Sequence, residues 1–188
     1  VTVSQGGVES KSNDVMYELV GGRSSAGAAA SPSMGPVRGG TLVTVTRLGH
    51  MAVLKVDCSF NGRMVHGIQS PDGQMTCRTP FSDLAGEGTL TLLHGAQVLE
   101  IHPFVYYVAP TVHGVKPSTG VVTGGSTVSV IGSGFVAAGT CRFDTTQTKQ
   151  VQTKEISSTL LLCITPASGS SGVVGVEVSF NGGADFPS

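Results

Sequence analysis

The feature that most constrains this chain of 188 residues is an internal repeat. Three landmarks occur twice in the same order: Gly-Gly before an alternating strand at 39–45 and 124–130, Cys-x-Phe at 58–60 and 141–143, and Cys-x-Thr-Pro at 77–80 and 163–166. The offsets are 85, 83 and 86 residues, so the copies differ only by small loop insertions. Self-similarity at a fixed period indicates repeated structural units. The sequence therefore predicts two copies of one small fold rather than a single large domain.

Within each copy the hydrophobic pattern has the period of a β-strand. Apolar residues alternate with polar or small ones in several short segments, as they do in half-buried antiparallel strands. These segments include 41–45, 89–92, 127–130 and 174–178. Turn signals such as Pro71-Asp72-Gly73 and Asn181-Gly182 lie between them. The pattern predicts an all-β chain of tandem small sandwiches, and a barrel of similar strand number fits the same pattern.

Composition narrows the classes of function. Charged residues make up 12% of the chain, about half of the usual ~25%, and the formal net charge is -1. A chain without a basic cluster has no electrostatic footprint for nucleic acid. The apolar runs, such as the one at 160–164, are far shorter than the ~20 residues of a membrane-spanning helix. We expect neither nucleic-acid binding nor direct membrane contact from this sequence.

The ordered motifs of each copy resemble a known family. Each copy reads Pro-Ser-x-Gly, then Gly-Gly, a strand, Cys-x-Phe and Cys-x-Thr-Pro, starting at Pro32 and at Pro117. This set resembles the IPT/TIG domain, an immunoglobulin-like β-sandwich of plexin-type receptors, fibrocystin-like proteins and some transcription factors. The first copy departs from the pattern where 46–50 replaces the Gly-x-Gly-Phe element of 132–135. The resemblance covers nearly all of 32–188 and implies tandem domains of a larger, multi-repeat extracellular protein.

The repeats also suggest domain boundaries. We expect 1–20 to be the C-terminal strands of a preceding repeat and 21–31 to be a Gly/Ser/Ala linker. The two full domains are then 32–108 and 109–188, the second without its closing strand. The direct passage between them through Pro110 predicts a stiff junction, and the composition of the linker predicts a looser one.

The four cysteines carry the clearest chemistry. Four thiols allow three pairings, but two cysteines at matched positions in each copy favour Cys58–Cys77 and Cys141–Cys163. Each bond would close a loop of ~20 residues and contribute ~3 kcal/mol to a small domain. Disulfides imply an oxidising, extracellular compartment. The alternative is four buried free thiols in an intracellular protein.

Other motifs that could carry chemistry are explained better by structure. The segment 132–137 reads Gly-x-Gly-x-x-Ala after a strand, with Glu155 further on, as in a dinucleotide-binding fingerprint. The turn and β residues that follow lack the helix which that chemistry needs, so we interpret it as a Gly-rich loop. The five histidines show no paired spacing, and Asp72 is interpreted as a turn residue. We expect no catalytic, cofactor-binding or metal-binding residues and therefore no enzyme.

The sequence supports two functional hypotheses. In the first, the repeats are a non-catalytic structural or adhesive region of an extracellular or cell-surface protein, contacting other protein domains or copies of itself through strand edges and loops. Such a region acts as a spacer and interaction scaffold and could belong to a fibrous surface assembly. In the second, it is the ectodomain stalk of a plexin- or fibrocystin-like receptor. No Asn-x-Ser/Thr occurs, whereas O-linked glycans on 21–33 fit the composition.

Overall fold

The computed structural model describes residues 3–5, 8–10, 29–46, 55–136, 139–144 and 149–186. Every regular element in these ranges is a β-strand, which confirms the predicted all-β class. The described ranges contain no helix that is long and apolar enough to span a membrane. Strands β1 (Val3–Gln5) and β2 (Val8–Ser10) form an antiparallel hairpin near the N-terminus.

Nine strands of the described residues form the first sandwich. They are β3 (Ala29–Ser31), β4 (Met34–Pro36), β5 (Leu42–Thr46), β6 (Asp57–Phe60), β7 (Arg63–His66), β8 (Ile68–Gln69), β9 (Met75–Arg78), β10 (Gly86–His94) and β11 (Gln97–Tyr107). One sheet has the order β3-β5-β9-β8 and the other β4-β11-β10-β6-β7. All pairs are antiparallel except β4 with β11, which run parallel.

In the part of the chain that the structure describes, seven strands form the second sandwich. They are β12 (Thr111–Lys116), β13 (Thr127–Ser133), β14 (Thr140–Phe143), β15 (Lys149–Gln152), β16 (Lys154–Ser157), β17 (Leu160–Ile164) and β18 (Val176–Ser179). Its sheets have the orders β12-β13-β17-β16 and β15-β14-β18. The strands that carry the repeated motifs occupy the same places in both sandwiches, because β5, β6 and β9 correspond to β13, β14 and β17.

Each sandwich has its own core between its two sheets. The alternation of β5 buries Val43 and Val45, and that of β13 buries Val128 and Val130. The first core also contains Val56, Cys58, Phe60, Met75, Cys77, Leu90, Leu92, Phe104 and Tyr106. The second contains Tyr107, Phe135, Cys141, Phe143, Leu161, Cys163, Val178 and Phe180. Strand alternation thus supplies the buried side chains of each core.

The first sandwich starts earlier than the sequence predicts. Ala29–Ser31, assigned to the linker, forms β3 and pairs with Thr44–Thr46 of β5. Alanine and serine are poor strand formers, so it is pairing with a neighbouring strand rather than local preference that places these residues in the sheet. The remainder of the predicted linker, residues 21–28, lies outside the described residues, as do Val15–Tyr17 of the predicted preceding repeat.

One edge differs between the sandwiches. In the first, β11 lies between β10 and β4, and Gly35 and Pro36 of β4 are buried. In the second, β18 pairs with β14, and the described residues provide no strand on its other side. Residues 117–123, the counterpart of β4, are exposed. Within the described residues, we refer to this unpaired side of β18 as the open edge.

Candidate functional site: the junction between the sandwiches

Both cysteine pairs lie across the cores. The structure bonds Cys58 of β6 to Cys77 of β9, and Cys141 of β14 to Cys163 of β17. In each sandwich the bond joins the two facing sheets, and the two Cα atoms are 6.4 Å apart. All four residues are buried. The equivalent placement of the two bonds follows from the repeat, because equivalent strands carry the cysteines.

The two sandwiches meet through an aromatic residue that ends β11. Tyr107 belongs to the last strand of the first sandwich, yet its ring packs into the core of the second. It stands edge-on to Phe180, with ring centroids 6.1 Å apart and planes at 83°. Met34 of β4 packs against the same core. Alternation on β11 explains this division, since consecutive tyrosines point to opposite faces and Tyr106 enters the first core.

A polar cluster lies beside this apolar contact. The Thr41 hydroxyl donates to Asp185 Oδ2 at 2.6 Å, and Asn181 Nδ2 donates to the same oxygen at 2.7 Å. Asn181 Nδ2 also reaches the carbonyl oxygen of Met34 at 3.3 Å. Thr41 and Met34 belong to the first sandwich, whereas Asn181 and Asp185 follow β18 of the second. The loop after β18 therefore makes hydrogen bonds back across the junction.

Close packing within the first sandwich positions the Thr41 hydroxyl. A Cβ atom on Gly35 would lie 2.3 Å from Thr41 Oγ1, so only glycine leaves room for this side chain. The Thr41 amide donates to Thr79 Oγ1 at 3.0 Å. Thr41 is completely buried, and its hydroxyl thus points in a fixed direction. The Cys-x-Thr-Pro motif, which contains Thr79, helps to hold the residue that contacts the second sandwich.

Burial perturbs the two tyrosines at the end of β11. Burial, together with a smaller effect of the nearby Asp185 carboxylate, raises the pKa of Tyr107 to about 12, while Arg38 acts in the opposite direction. Burial likewise raises the pKa of Tyr106 to about 12, against a lowering effect of Arg63. The Tyr106 hydroxyl donates to the carbonyl oxygen of Pro80 at 3.1 Å. The buried Tyr107 hydroxyl has no hydrogen-bond partner among the described residues.

The Gly-rich segment at 132–135 serves packing. A Cβ atom on Gly132 would lie 2.2 Å from the carbonyl oxygen of Thr111 and 2.5 Å from the Phe135 ring. Gly132 is still part of β13, Gly134 has φ +74°, and Phe135 is buried in the second core. These glycines permit a close strand contact and a tight bend that turns Phe135 inward.

The remaining candidate residues are dispersed. His66 Nδ1 is 2.9 Å from Asp57 Oδ1, His102 Nε2 is 3.0 Å from Glu100 Oε2, and His94 contacts a backbone carbonyl. Asp72 lies in an exposed turn, where a hydrogen bond from Ser70 is the main cause that lowers its pKa. Among the described residues, no group of three or more His, Cys, Asp or Glu side chains is arranged to hold a metal ion. His50 lies outside the described residues.

Two cavities accompany the second sandwich. A groove of about 380 Å³ runs along its open edge and is lined by valine, serine, threonine, glycine, proline and Phe143, without an ionisable side chain. A second cavity of about 340 Å³ lies at the junction, where its lining includes Met34, Tyr107 and Val136. Neither lining contains a histidine, carboxylate, lysine or cysteine beside these hydroxyl groups.

Sequence reasoning found the cysteines but missed Thr41, Asn181 and Asp185. Asn181-Gly182 was interpreted only as a turn, which the structure also shows, with Gly182 at φ +71°. The contact between Thr41 and Asp185 joins residues 144 positions apart, and nothing in the repeat indicates it. The buried Asn181 needs partners for its amide, but its burial is known only from the structure.

The fold and the junction together define a pair of immunoglobulin-like β-sandwiches packed end to end. Residues 110–188 match the IPT/TIG domain model, so this part of the chain is similar to IPT/TIG domains. The second sandwich thereby has the fold that the resemblance implied.

Comparison with solved structures gives matches at low sequence identity. The full extracellular region of plexin A4 (domains 1 to 10) matches with 18% identity and a TM-score of 0.51, over 82% of this chain and 14% of that one. A second structure of that region, with domains 1 to 8, gives 16% identity and a TM-score of 0.47, over 92% and 19% of the two chains. The Escherichia coli adhesin FdeC gives 14% identity and a TM-score of 0.38, over 83% and 59%. This chain spans about a seventh of the plexin chain in the first comparison, and at such identities the likeness concerns the fold alone.

Proposed function

We propose that this chain is a non-catalytic structural and adhesive region of an extracellular or cell-surface protein, serving as a spacer and a protein–protein interaction scaffold. The observation that carries the proposal is the shared junction, in which Tyr107 of the first sandwich is part of the second core. A connection through a buried aromatic residue resists bending more than a solvated linker does. Such a pair of sandwiches holds other parts of a protein at a fixed distance and angle.

Two further features support the extracellular setting. Each sandwich has one disulfide between its sheets, and disulfides persist in oxidising compartments. The likeness to the plexin A4 extracellular region extends over 82% of the chain, more than the IPT/TIG domain alone occupies. We infer that residues 29–108 are a second IPT/TIG domain, in tandem with the first and within a larger multi-repeat protein.

The surfaces favour protein partners. Exposed apolar residues lie on strands and loops of both sandwiches and include Ile68, Leu84, Val98, Val121 and Val173. With a net charge of -1, the surface offers protein partners shape and apolar contact rather than strong charge. Other protein domains or further copies of this chain fit such surfaces. A filament built from these copies is the most specific form of the proposal.

Small-angle X-ray scattering of the 188-residue chain tests the spacer role. We expect one rigid arrangement of the two sandwiches to fit the scattering curve of the parent chain. The Tyr107→Ala variant should give a broader distance distribution than the parent. A parent curve that needs a wide ensemble of relative orientations would overturn the spacer role.

Sedimentation velocity over a range of protein concentrations tests whether copies of the chain associate. If they do, the sedimentation coefficient should rise with concentration. A sedimentation coefficient that stays at the value of a monomer would contradict the filament.

The second candidate function is the stalk of a receptor. The observation that favours it is the likeness to plexin A4 across both sandwiches. In that role the same rigid junction would position a distant ligand-binding head. Sequencing the complete transcript separates the candidates: a membrane span and a cytoplasmic region downstream support the stalk, whereas further repeats without a membrane span support the assembly.

A further inference from the structure

The loop that follows β18 is held at both of its ends by the second sandwich. At its start, Phe180 is buried in the second core against Tyr107 and Phe135. At its end, the Arg142 guanidinium lies over the Phe186 ring, 3.9 Å from the centroid, and Arg142 is itself paired with Glu177. A cation over an aromatic face is an attractive contact. The loop is therefore anchored by contacts other than those it makes with Thr41 and Met34.

Internal hydrogen bonds fix the shape of the loop between these anchors. Asn181 Oδ1 accepts the Asp185 amide at 2.9 Å and the Ser179 hydroxyl at 2.9 Å. The Gly183 amide donates to Ser179 Oγ at 3.1 Å. Ser179 and Asn181 are buried. This arrangement leaves Asn181 Nδ2 and the Asp185 carboxylate directed toward the first sandwich.

Two residues of this loop make hydrogen bonds within the cluster at the junction and to the first sandwich. Asp185 Oδ2 accepts from the completely buried Thr41 hydroxyl, while Asn181 Nδ2 donates to both Asp185 and the Met34 carbonyl. A hydrogen bond to a charged acceptor is stronger than a neutral one, and a buried donor that loses its partner is costly. Each of these groups is therefore best satisfied in one relative orientation of the two sandwiches.

We propose that residues 180–186 form an interdomain latch, in which Asp185 and Asn181 lock onto Thr41 and Met34 and set the angle between the two sandwiches. The latch rests on the proposed spacer function, and it assigns the orientation to a polar contact separate from the apolar contact of Tyr107. Tyr107 keeps the sandwiches together, and the latch selects one angle among those that the apolar contact allows. Without the latch, the sandwiches stay joined but rock about Tyr107.

The test is a set of residual dipolar couplings measured on the 188-residue chain and its variants. Thr41→Val removes the hydroxyl at nearly constant volume, Asp185→Asn removes the charged acceptor, and Thr41→Ser keeps the hydroxyl. Ser126→Ala is the matched control, because Ser126 is the equivalent of Thr41 in the second sandwich and its amide makes the equivalent bond to Thr165 Oγ1, at 3.1 Å. Unchanged amide shifts in both cores show that each variant is folded.

One alignment tensor should fit both sandwiches in the parent chain, in Thr41→Ser and in Ser126→Ala. Thr41→Val and Asp185→Asn should each require two tensors of unequal magnitude. A single tensor in both of these variants overturns the latch and leaves the spacer role standing. Two tensors in the parent chain overturn both. A variant that no longer folds is replaced by Asn181→Asp, which removes the donor to Met34 and should also require two tensors; a single tensor there overturns the latch.

Discussion

Two adjacent tyrosines allow a sharp test of the packing at the junction. Tyr106 and Tyr107 are both buried at the end of β11, in the first and the second core. The Tyr106 hydroxyl donates to the Pro80 carbonyl at 3.1 Å, whereas the Tyr107 hydroxyl has no partner among the described residues. Replacing each tyrosine by phenylalanine removes one hydroxyl and keeps the ring. The two substitutions should therefore change the free energy of unfolding in opposite directions.

The magnitudes follow from the state of each hydroxyl. A buried hydroxyl without a partner costs ~1–3 kcal/mol, so removing it should increase the free energy of unfolding. We expect Tyr107→Phe to stabilise by about 1 kcal/mol, the lower end of this range. Tyr106→Phe loses a satisfied hydrogen bond and should destabilise by about 1 kcal/mol.

The assay is urea unfolding followed by far-UV circular dichroism, since the chain contains no tryptophan. The unfolding free energy of each variant should depend on urea concentration with the same slope as that of the parent. A shift in the urea concentration at the midpoint then reports a change in stability. The expected difference between the two variants is about 2 kcal/mol. A loss of stability in Tyr107→Phe as large as that in Tyr106→Phe would refute the reasoning, because it would mean that the Tyr107 hydroxyl has a stabilising partner.

Three further predictions follow from the same structure. Burial raises the pKa of Tyr106 and Tyr107 to about 12, so the folded state favours the neutral form of both side chains. The part of the unfolding free energy that depends on these neutral tyrosines should be complete below about pH 10 and should be lost as the pH rises to about 12. Circular dichroism measures the unfolding, and the absorbance at 295 nm measures the ionisation of the tyrosines. Replacing Cys58 and Cys77 together by alanine should lower the unfolding free energy by ~3 kcal/mol. Replacing Cys141 and Cys163 together should lower it by nearly the same amount, because the two bonds span 19 and 22 residues. Chemical denaturation measures both losses, and a loss below ~1 kcal/mol in either variant would contradict this prediction. In hydrogen exchange, the amides of β18 should exchange faster than those of β10. The reason is that β10 lies between two strands, β6 and β11, whereas β18 pairs only with β14 in the described residues. Equal protection of β18 and β10 would contradict the open edge.

Much of the fold can be predicted because its signals are local and occur twice. The alternation in 41–45 and 127–130 predicts strands β5 and β13. These two strands contain four of the buried core valines. The matched cysteines predict the pairs that the structure bonds, because equivalent residues of a repeat occupy equivalent strands. Period and repetition therefore suffice for the strands and for the cross-links.

The junction could not be predicted in the same way. Tyr107 enters the second core because two adjacent tyrosines of β11 face opposite directions, which depends on the register of β11 and on how the sandwiches meet. The latch residues Thr41 and Asp185 come from different copies and occupy non-equivalent positions, so the repeat carries no information about their contact. Strand β3 was missed because its Ala-Ala-Ser sequence has little strand preference and depends on β5 for its place.

Peptide mapping of the native protein under non-reducing conditions tests the central proposal most directly. The proposal of a disulfide-braced extracellular spacer predicts two linked peptide pairs, Cys58 with Cys77 and Cys141 with Cys163, that separate on reduction. Free thiols at all four positions in protein isolated from its own source would contradict the extracellular assignment and return the chain to an intracellular setting.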